Sequence, residues 1–152
     1  MKRFSVGFVT DLKGNVALIC KNRPEWQKGL LNGVGGHIEP NETPYEAMVR
    51  EFEEETSVLI LKEKWKHTIT MYCESSDSLV YFFTSKLEDL TSLKSVTDEK
   101  IIITRIRSLP ENIIPNLLWL IPLSLSSCQK PMQIITKDAF DKIEKTEILG
   151  GK

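Results

Sequence analysis

The chain has 152 residues, 41% of them hydrophobic and 27% charged, with a formal net charge of −1. That length suits a single domain, residues 1–152, with a real core, and the composition is that of a soluble globular protein. The near-neutral charge leaves no electrostatic footprint for a DNA or RNA polymer, and no apolar run approaches the length of a membrane span.

The start, Met1-Lys2-Arg3-Phe4-Ser5-Val6-Gly7-Phe8-Val9, is too short and too strand-like for a signal peptide. Residues 4–10 and 15–20 predict two strands, joined by a glycine-punctuated turn at Asp11-Leu12-Lys13-Gly14. Residues 21–35, with Lys21, Arg23, Pro24, Trp26, Lys28 and several glycines, read as a long functional loop. A helix should begin after Thr43: Pro44 suits the first helical position, and Thr43 with Glu46 makes a capping box. Tyr45, Met48 and Phe52 recur at helical spacing and predict the face turned to the core.

Farther along, residues 57–64, around Val58-Leu59-Ile60-Leu61, predict a strand, as do Trp65–Cys73, Leu79–Lys86 and Ile101–Ile106. Residues 116–125 suggest a buried helix, shortened or kinked by Pro122, and Met132–Thr136 a late strand. The charged stretch Lys137–Lys152 is expected to hold a short helix ending at Gly150-Gly151. Cys20, Cys73 and Cys128 are odd in number and far apart, which suggests free thiols in a reducing cytoplasm rather than a disulfide scaffold or a zinc site. No repeat or low-complexity tract interrupts the chain, and strands surrounding two helices predict an α/β fold with a mixed sheet between helices.

The chemistry concentrates in residues 36–58. Glu51, Glu54 and Glu55 stand at i, i+3 and i+4, on one helical face with Cβ atoms about 5–6 Å apart. An acidic run is usually a solvated face. This one is offset locally by Arg50 alone and follows directly on the turn Gly33-Val34-Gly35-Gly36. A hard divalent cation such as Mg²⁺, which takes oxygen ligands, would relieve the repulsion.

The segment resembles the Nudix box: Gly, five residues, Glu, seven residues, Arg-Glu, an aliphatic or aromatic residue, any residue, Glu-Glu, any residue, Gly, aliphatic. Gly36, Glu42, Arg50, Glu51, Phe52, Glu54, Glu55 and Val58 fall in place, and Ser57 stands where the pattern has glycine. That position closes a helix C-terminus, where positive φ is often required, so the departure bears on stability. The resemblance implies an α/β/α sandwich and a Mg²⁺-dependent, sometimes Mn²⁺-dependent, hydrolase of nucleoside diphosphates linked to another group. It assigns Glu51, Glu54, Glu55 and the carbonyl of Gly36 to the metal, with Glu54 first among them, and makes Arg50 and Glu42 a structural pair. The proton acceptor is a box glutamate or a distant loop acid, for which Glu99 is the candidate.

Trp26 to Gly36 is similar to Nudix enzymes of the MutT-like branch, which act on nucleoside triphosphates, oxidised purines included. In those, an asparagine at the position of Asn32 touches the base. Asn116 to Pro122 resembles the segment that walls their base pocket. Trp119 is placed there to stack on a base, with a core tryptophan as the competing role. Pro115-Asn116 stands where paired aspartates mark selectivity for 8-oxoguanine, which weakens that expectation. Lys21 and Arg23 are candidate phosphate contacts.

The expectation is a cytoplasmic pyrophosphohydrolase, monomer or homodimer, that takes a small-molecule nucleotide and neither a nucleic-acid polymer nor a membrane. It would split nucleoside or deoxynucleoside triphosphates to monophosphate and pyrophosphate. The alternatives are hydrolysis of a dinucleoside polyphosphate, a nucleotide sugar or ADP-ribose, or a non-catalytic nucleotide-binding module. The absence of proline between Pro44 and Pro110 disfavours ADP-ribose.

Overall fold

A computed structural model describes residues 1–126 and 129–138, and the backbone of 147–149. The strands are β1 (Lys2–Thr10), β2 (Asn15–Cys20), β3 (Leu31–Asn32), β4 (Val34–His37), β5 (Lys66–Cys73), β6 (Ser78–Lys86), β7 (Ile101–Arg105), β8 (Met132–Thr136) and β9 (Glu147–Leu149). The helices are α1 (Pro44–Thr56) and α2 (Leu117–Ser124). The strands form one mixed sheet in the order β3-β2-β1-β6-β5-β8-β9, with β4 on β1 and β7 on β2. The pairs β1/β6 and β5/β8 are parallel and the rest antiparallel.

Alternation along the strands makes two cores, one on each face. Val6 and Phe8 of β1, Val16 and Leu18 of β2 and Phe82 of β6 pack with Leu117, Leu120 and Ile121 of α2. Their neighbours Val9, Ala17, Ile19 and Phe83 point the other way and pack with Met48 and Phe52 of α1. The sheet is thus sandwiched between helices, and period-two side chains supply both faces.

Helix α1 starts as its sequence dictates. Thr43 Oγ1 accepts from the Glu46 amide at 3.1 Å, and the Glu46 carboxylate accepts from the Thr43 amide at 3.2 Å. The buried Ser5 hydroxyl donates to the Pro44 carbonyl at 2.8 Å, which ties the first turn to β1. Because Ser5 pairs with Gly36 of β4, the same bond sets the helix over the glycine turn. Met48 and Phe52 are fully buried, and Tyr45 is partly so.

Three expectations are corrected. Val58–Leu61 joins no strand: Ile60 alone is buried, and its carbonyl accepts from the Trp65 indole at 3.2 Å. Leu59 and Leu61 are exposed, because apolar alternation makes a strand only where a neighbour offers its backbone. Residues 21–35 are not all loop. They contain β3 and the start of β4, short strands hidden by glycines that let backbones approach, as Gly35 does against Ser5. At the C-terminus, Glu147–Leu149 forms a strand on β8. The rest of the helix expected there, like Cys128, lies outside the described residues.

Ser57 closes α1 in the left-handed region, with φ 61° and ψ 10°, and its amide bonds to the Glu53 carbonyl at 2.9 Å. A β-carbon there is strained, so Ser57→Gly should stabilise the fold by about 1 kcal/mol. Urea denaturation would show it as a raised midpoint with unchanged slope.

Candidate active site

The acidic face of α1 is organised around Arg50. Its guanidinium donates to Glu42 through Nε at 2.7 Å and Nη2 at 2.9 Å, a bidentate pair. Nη1 reaches Glu51 at 2.9 Å and Glu54 at 3.4 Å, and Nη2 also donates to the His37 carbonyl at 3.0 Å. The loop 37–42 is thereby pinned against the helix, the structural role expected of the Glu42/Arg50 pair. Glu42's carboxyl is held below the usual range, first by its hydrogen bonds from Arg50. Its stabilisation is therefore complete above the unfolded pKa of about 4.3 and lost as pH falls through the lower folded value.

Glu51 lies directly over Gly36: a β-carbon on that glycine would stand 2.5 Å from the Glu51 carboxyl. Only glycine lets the helix carboxylate approach the β4 backbone so closely. Burial pushes the Glu51 carboxyl upward, against the pull of Arg50. Burial likewise pushes Glu55 upward, opposed by a hydrogen bond from Thr97 Oγ1 at 3.0 Å and reinforced by the nearby Glu99 charge. Glu54 is open to solvent, its side chain 58% exposed. Among the described residues no three acidic, histidine or cysteine side chains are gathered closely enough to hold a metal ion.

On the face of the sheet that carries α2 lies a cavity of about 530 Å³. Its floor is apolar, from Phe4 and Val6 of β1, Met71 of β5 and Val80 and Phe82 of β6. Arg23, Asn32 and Asn116, three of the residues expected to contact substrate, line it. The connection of Asn32 and Asn116 is built by backbone. The Leu31 amide donates to the Asn112 carbonyl at 2.8 Å and the Ile114 amide to the Leu31 carbonyl at 3.1 Å. Asn32 is partly engaged, donating to Gln27 Oε1 at 3.3 Å and accepting from the Gly33 amide at 2.7 Å. Asn116 is only 4% exposed, does not cap α2, and its side-chain amide meets no hydrogen-bond partner among the described residues.

Trp119 is not brought to this wall; it packs partly buried against the core beneath α2. Trp26 lines the cavity instead, from the loop after β2. So do Phe4 and His37, which sequence reasoning did not single out. The tryptophan in a charged loop was the available signal. The strand residues gave none, because their sharing of one concavity depends on the sheet order.

Glu99 stands off α1 but close enough for its charge to act on Glu55, and is 3% exposed. Its Oε1 accepts from Lys21 Nζ at 2.9 Å, and Oε2 from the amides of Asn22 at 2.6 Å and Arg23 at 3.3 Å. Burial would raise its carboxyl, but the Asn22 amide and Lys21 together bring it below the usual range.

Arg50→Ala would leave Glu42 and Glu51, each with a 13% exposed side chain, without their cation. The expected loss is about 2–4 kcal/mol in urea unfolding at pH 7. Arg50→Lys should recover only part of it, because an ammonium cannot reproduce the bidentate fork.

A family model of the NUDIX domain matches residues 1–115. No curated protein sequence matches the chain. Among solved structures, the fold is similar to the mutator MutT protein from Bacillus halodurans, with 18% identity, TM-score 0.70 and 97% of each chain covered. It is also similar to the MutT NUDIX hydrolase from Burkholderia pseudomallei, with 15% identity, TM-score 0.68, and 82% of this chain and 98% of that one covered. A MutT/nudix family protein from Enterococcus faecalis matches with 18% identity and TM-score 0.58; 68% of this chain is covered but only 42% of that longer one. Among the described residues no helix is long and apolar enough to cross a membrane. The chain belongs to the Nudix hydrolases, enzymes that act on phosphoric anhydride bonds.

Proposed function

We propose that the protein is a pyrophosphohydrolase of nucleoside or deoxynucleoside triphosphates, oxidised purine forms among them, that releases a nucleoside monophosphate and pyrophosphate with Mg²⁺ or Mn²⁺. The observation that carries this reading is Asn116: a residue 4% exposed whose side-chain amide has no hydrogen bond among the described residues and lines an apolar cavity that reaches His37, next to Gly36. A base edge, with donor and acceptor side by side, would satisfy both ends of such an amide. The apolar floor and Trp26 suit the faces of a planar ring. The fold likeness to the MutT proteins favours the same branch.

The residues on α1 fit a hard divalent cation. All the donors are oxygens, and two of the carboxylates, Glu51 and Glu55, are pushed upward by burial, so positive charge there would relieve them. Glu51, Glu54, Glu55 and the Gly36 carbonyl would hold it. When bound, it would neutralise phosphate oxygens and make an attached water more acidic. The chain's own contribution is positional. His37 lines the cavity and directly follows Gly36, so base and phosphates would straddle β4. Glu54, the most open carboxylate of the three, would accept the proton of the attacking water. The water oxygen would bond to one of the two phosphorus atoms of the α–β bridge as that atom's bond to the bridging oxygen breaks, leaving a nucleoside monophosphate and pyrophosphate, with the water's proton on Glu54.

The test is hydrolysis of a panel of ordinary and oxidised nucleoside triphosphates, nucleotide sugars, ADP-ribose and a dinucleoside polyphosphate, with products resolved by chromatography. Triphosphates should yield monophosphate and pyrophosphate, and Glu54→Gln should lower kcat about 10²–10⁴-fold. Cleavage of the other substrates alone would overturn the substrate assignment. Mg²⁺ should also raise the melting temperature of the wild type, and Glu51→Gln should abolish that rise. Without metal, Glu51→Gln should melt no lower than the wild type, because it removes a carboxylate that burial disfavours; differential scanning calorimetry would measure both.

A further inference from the structure

We infer that Glu99 is a positioning residue: with Asp98 it clamps residues 21–23, and so holds the loop wall of the cavity ready for the nucleotide. The inference rests on reading that cavity as the seat of the nucleotide.

Three donors converge on the buried Glu99 carboxylate: Lys21 Nζ on one oxygen, the amides of Asn22 and Arg23 on the other. Asp98 completes the grip. Its carbonyl accepts from Asn22 Nδ2 at 2.8 Å, and its carboxylate from Arg23 Nη2 at 2.7 Å. The loop is closed at its base by the Lys21 amide on the Leu30 carbonyl at 2.9 Å and the Gly29 amide on the Lys21 carbonyl at 2.8 Å. Between these two fixings lie Arg23, Pro24, Trp26 and Gln27, all lining the cavity, and Gln27 in turn holds the Asn32 amide.

A proton acceptor needs a lone pair open to the attacking water. Glu99 spends both oxygens on the loop. Thr97 extends the same framework to the carboxylate helix: its hydroxyl lies 3.0 Å from Glu55 Oε2 and 3.1 Å from the Glu99 amide that it accepts. One short segment, 97–99, therefore spans the two halves of the site, the loop wall by Glu99 and Asp98, the acidic helix by Thr97.

Two variants test this. Glu99→Gln keeps the shape but removes the charge that Lys21 and the amides share. Asp98→Asn alters a carboxylate that is 58% exposed, so its folding is not at stake. Hydrogen exchange should speed up at the amides of Asn22, Arg23 and Gly29 in Glu99→Gln, while α1 keeps its protection. Binding of a nucleoside monophosphate without metal, measured by calorimetry, should weaken about 10-fold, and the loss in turnover should fall on KM rather than kcat. Asp98→Asn should show the same pattern at about 3-fold. A fall in kcat of about 10²–10⁴-fold in Glu99→Gln, with exchange and monophosphate binding unchanged, would make Glu99 the proton acceptor and overturn the inference. Unchanged exchange and binding in both variants would overturn it too. If the wild type turned over no nucleotide, the functional reading would fall, and the exchange result would still decide the clamp.

Discussion

Arg50 sets one delocalised charge among four carboxylates, Glu39, Glu42, Glu51 and Glu54, and the carbonyl of His37. Much of the site depends on that arrangement. Three glutamates on one helical face repel each other, and the guanidinium supplies the compensating charge while folding the 37–42 loop against α1. With the loop held, β4 keeps its register on β1 and the Gly36 backbone sits beneath Glu51. A planar fork can bind Glu42 in bidentate fashion and still spare a nitrogen for Glu51, which an ammonium cannot do.

The same geometry explains how two unlike environments adjoin. Helix α1 carries carboxylates that burial has made reluctant anions; the concavity reached by His37 is largely apolar, with the Asn116 amide in its wall. The two meet at β4, where Gly36 lies under Glu51 and His37 lines the cavity. A nucleotide has the matching division, a flat base at one end and phosphates at the other. The site gathers partly buried carboxylates whose charge burial disfavours where a cation would relieve them.

The legible parts of the fold and site were those with local causes. The capping box at Thr43 and Glu46, the core stripe of Met48 and Phe52, and the left-handed close at Ser57 all follow from neighbours a few residues apart. Strands β1, β2, β5 and β6 declared themselves by alternation, and the box residues by their spacing. What was illegible needed distant partners. Val58–Leu61 has a strand's composition but no strand beside it, whereas β3 and β4 have poor strand composition and good neighbours in β2 and β1. The cavity floor draws on β1, β5 and β6, so no sequence window contains it. The bonding of Glu99 to Lys21 and Asn22 crosses 78 and 77 residues and has no local signal. Trp119 and Trp26 divided their roles by the same rule: the packing of α2 turned the former to the core, and the turn after β2 set the latter at the cavity.

The central claim is that metal on the Glu51/Glu54/Glu55 face and a base against Asn116 belong to one bound nucleotide. The most direct measurement is a crystal structure with Mn²⁺ and an α,β-methylene nucleoside triphosphate, using anomalous scattering to locate the metal. The account predicts manganese between those glutamates and the Gly36 carbonyl, phosphates beside it, and the base in the cavity with its edge on the Asn116 amide. A base bound elsewhere, or manganese away from α1, would contradict it.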